Sequence, residues 1–268
     1  MTTIKVAIAG ASGRMGRALI EEVLRGADVR LAAALEQRGN AAVGRDAGES
    51  AGSPCGVRVS DDVAASIDGC DVLIDFTRPE GTLAHVVACA RLRVKMVIGT
   101  TGFSEEQRKQ IAEAARGVAI AMAPNFSVGV NVMFRLLDIA ARSLAQGYDI
   151  EILEAHHRHK VDAPSGTALR MGEVVARALG RDLRQSAIYG REGVTGERKD
   201  DTIGFATVRG GDLVGDHCAM FIGAGERLEI THRASSRANY ATGALRAARY
   251  IMSKPNGLYD MADVLGFK

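Results

Sequence analysis

The chain has 268 residues, 47% of them apolar and 25% charged, which suits two moderate globular domains and excludes a disordered chain. A net charge of +2, from 34 basic and 32 acidic residues, excludes the strong positive field of a nucleic-acid binder. No apolar run approaches the roughly 20 residues that span a bilayer, so no membrane segment is expected.

The opening MTTIKVAIAG has neither a charged leader nor a long apolar stretch, so a cytoplasmic protein is expected. Short apolar runs at 4–9, 29–35, 72–76, 95–98 and 118–122 then alternate with helix-period segments at 13–25, 81–92 and 104–115. That alternation predicts a Rossmann-like α/β domain, a doubly wound parallel sheet covered by helices. Ser104 and Gln107 have capping-box spacing, and the Gly-, Ala- and Ser-rich stretch 37–56 reads as a loop. Near residue 127 the rhythm changes. Residues 129–146 read as a long amphipathic helix with Val132, Leu136, Ile139 and Ala140 on its apolar face. There follow a strand at 149–155, a helix at 166–179, and strands at 202–209, 217–222 and 227–232. A hairpin turn is expected at Gly210-Gly211-Asp212. A last helix over 236–252 ends before Pro255, which cannot continue it. The second half is thus expected to be α+β, with an open mixed sheet. The four cysteines (Cys55, Cys70, Cys89, Cys218) are too sparse for a disulfide framework and read as small buried thiols.

The segment Gly10-Ala11-Ser12-Gly13-Arg14-Met15-Gly16 follows a strand and opens a helix. Its glycines allow a tight turn and let bare amides approach a pyrophosphate. Glu36 lies 20 residues beyond Gly16, at the end of the next strand, where a carboxylate accepts from adenosine ribose hydroxyls. Gly99-Thr100-Thr101 and Ala123-Pro124-Asn125-Phe126 end later strands. In a doubly wound sheet they line the same carboxyl edge, which suits a nicotinamide nucleotide.

The densest chemistry lies in Glu154-Ala-His156-His157-Arg158-His159-Lys160-Val-Asp162-Ala-Pro164-Ser165-Gly166-Thr167. Five potential cations in succession repel one another unless an anionic ligand or counter-charges lie nearby. Pro164–Thr167 precedes a helix, whose open amides form a pocket for a carboxylate. Histidines and a lysine offer proton donors near neutral pH. A zinc site and a solvated basic loop are competing readings of the same residues. A serine hydrolase built on Ser165 lacks the strand–elbow–helix GxSxG setting.

Together these motifs resemble the 4-hydroxy-tetrahydrodipicolinate (dihydrodipicolinate) reductase family. The matching stretches are GASGRMG at 10–16, DFTRPEGT at 75–82, GTTGF at 99–103, NFSVGVN at 125–131 and EAHHRHKVDAPSGTA at 154–168. TGERKDDTIGFATVRGGD at 195–212 and ERLEITHRASSR at 226–237 also match, so the resemblance spans essentially the whole chain. It implies NADH- or NADPH-dependent reduction of a cyclic imine dicarboxylate in the diaminopimelate route to lysine. It assigns His156 as proton donor with Lys160 as a second donor, and His157, Gly166 and Thr167 to the substrate. Gly10–Met15, Glu36, 99–101 and 123–126 fall to the nucleotide, and no metal is implied. It further implies a nucleotide domain (1–127), a substrate and oligomerisation domain (128–240), a helix and tail returning to the first domain (241–268), and a homotetramer. Where similar chains often carry an arginine to pair with a 2′-phosphate, this one has Gln37, which lacks the guanidinium fork. Pro124 stands where others have alanine or serine. Another amino-acid dehydrogenase, or a nucleotide sensor without catalysis, would share the first domain but have no need of the 154–168 block.

Overall fold

The structure, a computed structural model, describes residues 3–268. In chain order the elements begin with β1 (Ile4–Ala9), α1 (Arg14–Arg25), β2 (Val29–Leu35), β3 (Val59–Ser60), α2 (Val63–Ile67), β4 (Val72–Asp75) and α3 (Pro79–Leu92). They continue with β5 (Lys95–Ile98), α4 (Glu105–Ala114), β6 (Ala119–Met122), α5 (Val128–Ser143), β7 (Asp149–His156), α6 (Gly166–Ala178) and α7 (Leu183–Ser186). The last are β8 (Ala187–Tyr189), β9 (Ile203–Arg209), β10 (Gly215–Ile222), β11 (Arg227–Ala234), α8 (Ala238–Met252), β12 (Gly257–Tyr259) and α9 (Met261–Leu265). The chain divides into two compact units. The first runs to Val128 and resumes at Arg237, and the second is Gly129–Ser236.

The first unit is built on a parallel sheet of order β12-β6-β5-β4-β1-β2-β3. Val6, Ala7, Ile8 and Ala9 are all wholly buried. Successive buried residues on a strand require a cover on both faces, because side chains alternate between them. One face packs α1 and α8 through Leu19, Ile20, Val23, Leu245 and Ile251. The other packs Val86, Cys89 and Ile111 of α3 and α4 over Leu73, Met96 and Ile98. The strand order reverses between β1 and β4, so ligands are expected beyond the carboxyl ends of those two strands. The Lys95 ammonium donates to the carbonyls of Ile251 (2.7 Å) and Met252 (2.6 Å), satisfying oxygens that α8 leaves open at its C-terminal end.

The sequence expectations hold for β1, β2, β5 and both bonds of the Ser104–Gln107 capping box. α3 starts earlier than expected, at Pro79, whose fixed φ suits the first helical position. The short β3, α2, β12 and α9 were not foreseen, being too brief to show a period. The return to the first unit begins at Arg237, ahead of the expected boundary at 241, because α8 starts at Ala238.

The second unit carries a mixed sheet of order β11-β10-β7-β9-β8. β7, β9 and β8 run parallel, while β10 and β11 are antiparallel additions. α5 and α6 cover one face, packing Met133, Leu137, Met171 and Val175 onto Ile150, Ile152, Phe205 and Phe221. The opposite face exposes Leu153 and Val208, with Cys218 and Met220 half-buried on it.

Three expectations fail here. The buried face of α5 is Val130, Met133, Leu137, Ala140 and Ala141, whereas Val132, Leu136 and Ile139 are exposed. Leu136 and Leu137 are adjacent, so the helix carries two apolar stripes, and periodicity alone chose the wrong one. Gly210-Gly211-Asp212 does not close a hairpin, because β9 and β10 both pair with β7. The connection is pinned instead to the tip of β7, where the Gly210 amide donates to the His156 carbonyl (3.0 Å) and the Arg158 amide to the Gly211 carbonyl (3.1 Å). Of the four thiols, all free, only Cys89 is fully buried.

Candidate active site

In the first unit the turn after β1 is set by Gly10, at φ +71°, a left-handed conformation that favours glycine. The amides of Gly10 and Ala11 both donate to the Leu35 carbonyl, at 2.9 and 3.0 Å. Gly16 then presses the first turn of α1 onto this loop, and a Cβ there would lie 2.1 Å from the Gly10 carbonyl oxygen. Gly13 is the N-cap of α1 and gives no side-chain cap, so Arg14 and Met15 open a helix whose terminal amides suit an anion. Glu36 reaches back to this loop. Its Oε1 accepts from the Ser12 amide (2.9 Å) and hydroxyl (2.6 Å), and its Oε2 from Asn40 Nδ2 (3.1 Å). Asn40 escaped the sequence reading because a lone polar residue in a glycine-rich loop carries no spacing signal. A cavity of about 260 Å³ adjoins the loop, lined by Ser12, Arg17, Arg45 and Ser50 among others.

The neighbouring strand ends join the same edge. Gly99 lies against the Phe76 ring, where a Cβ would clash at 2.1 Å, and Phe76 meets Phe126 edge-to-face with centroids 5.8 Å apart. Behind them Asp75 is wholly buried. Its Oδ1 accepts from Thr77 Oγ1 (2.7 Å), Thr82 Oγ1 (3.1 Å) and Thr100 Oγ1 (3.2 Å), and its Oδ2 meets His85 Nδ1 at 2.6 Å. This hub was also missed, although a carboxylate closing an apolar strand is a readable signal. Ala123 is tied to the Ile98 carbonyl (3.2 Å), Asn125 Oδ1 accepts from the Ser127 amide (2.8 Å), and Thr101 and Pro124 are exposed. The structure therefore gathers every expected nucleotide residue at the carboxyl edge of one sheet. An open helix start, side-chain-free glycines and a loop-facing carboxylate fit a dinucleotide.

In the second unit, the alternation of β7 turns Ile150, Ile152, Glu154 and His156 to the helix-covered face. Glu154 is 1% exposed and fully engaged. Its Oε2 takes His156 Nδ1 (2.6 Å) and Arg209 Nη1 (2.7 Å). Its Oε1 takes Arg209 Nη2 (2.7 Å), the Ser165 amide (3.0 Å) and Thr207 Oγ1 (3.3 Å). Burial pushes the Glu154 carboxyl up, but the bonds from Arg209 and His156 outweigh it and hold it below the usual range. Two further neighbours flank the His156 ring. His217 packs edge-on at 5.0 Å, and a Cβ on Gly215 would come within 2.9 Å of Nε2.

Lys160 stands apart from the His156–Glu154 contact, its ammonium bonded to both oxygens of Asp162 at 2.8 Å. Of the crowded groups at 156–160, His156 is thus paired with Glu154 and Lys160 with Asp162. His157 is fixed through its amide to the Leu213 carbonyl (2.8 Å), and its ring lies 6.3 Å from that of His159. Ser165 caps α6, its hydroxyl accepting from the Ala168 amide (3.1 Å) and meeting His217 Nε2 at 2.9 Å, while Gly166 and Thr167 form the first turn. With Ser165 2% exposed and its hydroxyl shared in this way, the structure favours a cap over a nucleophile. Among the described residues no group of three or more His, Cys, Asp or Glu side chains is arranged to hold a metal ion, and no helix is long and apolar enough to cross a membrane.

Burial, with His156 adding to it, pushes the His217 imidazole down to about 3. The unfolded chain therefore binds one more proton than the folded one between pH 6.5 and about 3, so stability falls as pH drops through that window. From pH 6.5 to 5 this one group should cost up to about 2 kcal/mol. Thermal melts of wild type and His217→Gln across that range check this; the variant should show the shallower slope.

Comparison with known proteins matches both units to models of one family. The family described as "Dihydrodipicolinate reductase, N-terminus" matches residues 4–126, and "Dihydrodipicolinate reductase, C-terminus" matches residues 129–265. The chain belongs to the dihydrodipicolinate reductase family. Among curated members, the 4-hydroxy-tetrahydrodipicolinate reductase of Cupriavidus necator is 64% identical over 99% of this chain and 100% of its own. That of Nitrosomonas europaea is 61% identical over the full length of both. A dipicolinate-bound member of the family, from Paenisporosarcina sp. TG-14, superimposes with a TM-score of 0.76 at 27% identity, covering 97% of this chain and 98% of its own.

Proposed function

We propose that this chain is a 4-hydroxy-tetrahydrodipicolinate reductase that uses NADH or NADPH. The observation that carries the reading is the pairing of His156 with a buried, ionised Glu154 beside the start of α6. That arrangement sets a proton donor next to a group of backbone amides suited to a carboxylate. When bound, the nicotinamide nucleotide supplies a hydride to the ring carbon conjugated with the substrate imine. His156 then gives its Nε2 proton to the resulting enamine. Lys160 acts as second donor, and His157 with Gly166 and Thr167 holds a carboxylate of the substrate. Gly10–Met15 receive the pyrophosphate, Glu36 the adenosine ribose, and 99–101 with 123–126 the nicotinamide end.

Glu36 bears on nucleotide choice. A 2′-phosphate would approach its carboxylate, Gln37 offers no charge, and Arg45 is already paired with Glu49 at 2.7 Å. Both nucleotides are expected to work, with NADH giving the larger kcat/KM. A homotetramer assembled through the uncovered face of the second sheet, and a cytoplasmic location, complete the proposal. Its test is steady-state kinetics on 4-hydroxy-tetrahydrodipicolinate with each nucleotide. Absence of substrate-dependent NADH or NADPH oxidation would reject it.

A further inference from the structure

The strand that carries His156 also carries Glu154, and the contacts of Glu154 divide by oxygen. Arg209 spans both oxygens at 2.7 Å, which keeps the carboxylate ionised and fixes its plane. Besides Arg209, Oε1 takes the Ser165 amide, at the entry to α6, and Thr207 Oγ1, while Oε2 takes His156 Nδ1. An ionised carboxylate only accepts, so the Nδ1 facing it at 2.6 Å must carry a hydrogen. This fixes the tautomer: whenever His156 is neutral its proton is on Nδ1, and any proton it delivers leaves from Nε2. The other charged and titratable groups around the ring leave this assignment unchanged. His217 stays uncharged through neutral pH, Lys160 is paired with Asp162, and His232 lies opposite His217 in the sheet register.

We infer that Glu154 is a positioning residue for the protonation step, holding His156 with its hydrogen on Nδ1 and tying that ring to the carboxylate-binding start of α6. This rests on the reading of His156 as the proton donor. In the step, the Nε2–H bond breaks and its electron pair stays on Nε2. The proton bonds to the substrate's enamine, and His156 remains as the Nδ1–H imidazole donating to Glu154. The carboxylate takes no proton at any point.

Glu154→Gln separates these roles. The amide oxygen satisfies the Oε1 side, where three donors converge and Arg209 Nη2 is retained, and the amide NH2 then faces His156 Nδ1 and Arg209 Nη1 and accepts from neither. The neutral ring should switch to the Nε2–H form. Histidine 15N spectra of the full-length protein should show Nδ1-protonated His156 in wild type and Nε2-protonated His156 in Glu154→Gln. kcat should fall by about 100-fold, within the range of general-acid contributions, with KM changed only a few-fold. Glu154→Asp, which keeps the charge, should regain part of kcat and the wild-type spectrum. A neutral wild-type ring with its single proton on Nε2 overturns the inference even if Glu154→Gln fails to fold. So does a folded Glu154→Gln with wild-type kcat. If His156→Ala itself leaves kcat intact, the proton-donor reading fails, whereas a damaging His156→Ala beside a silent Glu154→Gln removes only the positioning role.

Discussion

His156→Ala should lower kcat by about 10²–10⁴-fold and leave KM within a few-fold of wild type, because a proton donor acts in the transition state and adds little to ground-state binding. The folded state should survive the change. Glu154 keeps Arg209, the Ser165 amide and Thr207 when the imidazole is removed, so no buried charge is stranded. Steady-state constants with saturating NADH, beside a thermal melt, make the measurement. A kcat within three-fold of wild type would assign proton donation to another group, with Lys160 the first to test.

Gly16→Ala should strongly damage nucleotide binding. The added methyl would sit 2.1 Å from the Gly10 carbonyl oxygen and 2.8 Å from both the Cα and the carbonyl oxygen of Ala11. All three are backbone atoms, which cannot swing aside as a flexible side chain does, so α1 and the loop must part. That displaces the helix-start amides and carries Ser12 away from Glu36. A loss of NADH affinity of about 100-fold, or ~2.8 kcal/mol, is expected by titration calorimetry. Overpacking adds a fall in stability of roughly 1–3 kcal/mol. Wild-type affinity together with a wild-type melting temperature would show that the helix does not rest on this loop.

The parts of the fold legible in the sequence were those where one residue type had one possible setting. The apolar run Val6–Ala9 of β1 fits a strand covered on both sides, and Ser104 with Gln107 fits a capping box. The glycine loop and Glu36 could be joined because a strand, a turn and a helix fix where a carboxylate 20 residues on must lie. Legibility ended where local chemistry is shared by several long-range outcomes. Gly210-Gly211-Asp212 turns equally well in a hairpin or in a crossing over β7, and only sheet order decides. α5 shows two apolar faces, and burial picked Leu137 over Leu136. In the site, the histidine-rich block announced itself, whereas Arg209 and His217 arrive from separate strands and become readable only through register with β7. Glu154 did leave a trace, as a carboxylate in the inward phase set by Ile150 and Ile152.

The first unit is assembled from both ends of the polypeptide, with Lys95 clasping carbonyls more than 150 residues downstream and α8 laying Ala241, Ala244, Leu245 and Ala248 into its core. On the ribosome, the segment translated first is therefore the last to be completed. Until α8 emerges, the face of the parallel sheet that it shares with α1 is only partly covered. A nascent chain halted before residue 238 would present that partly bare greasy surface to chaperones and proteases.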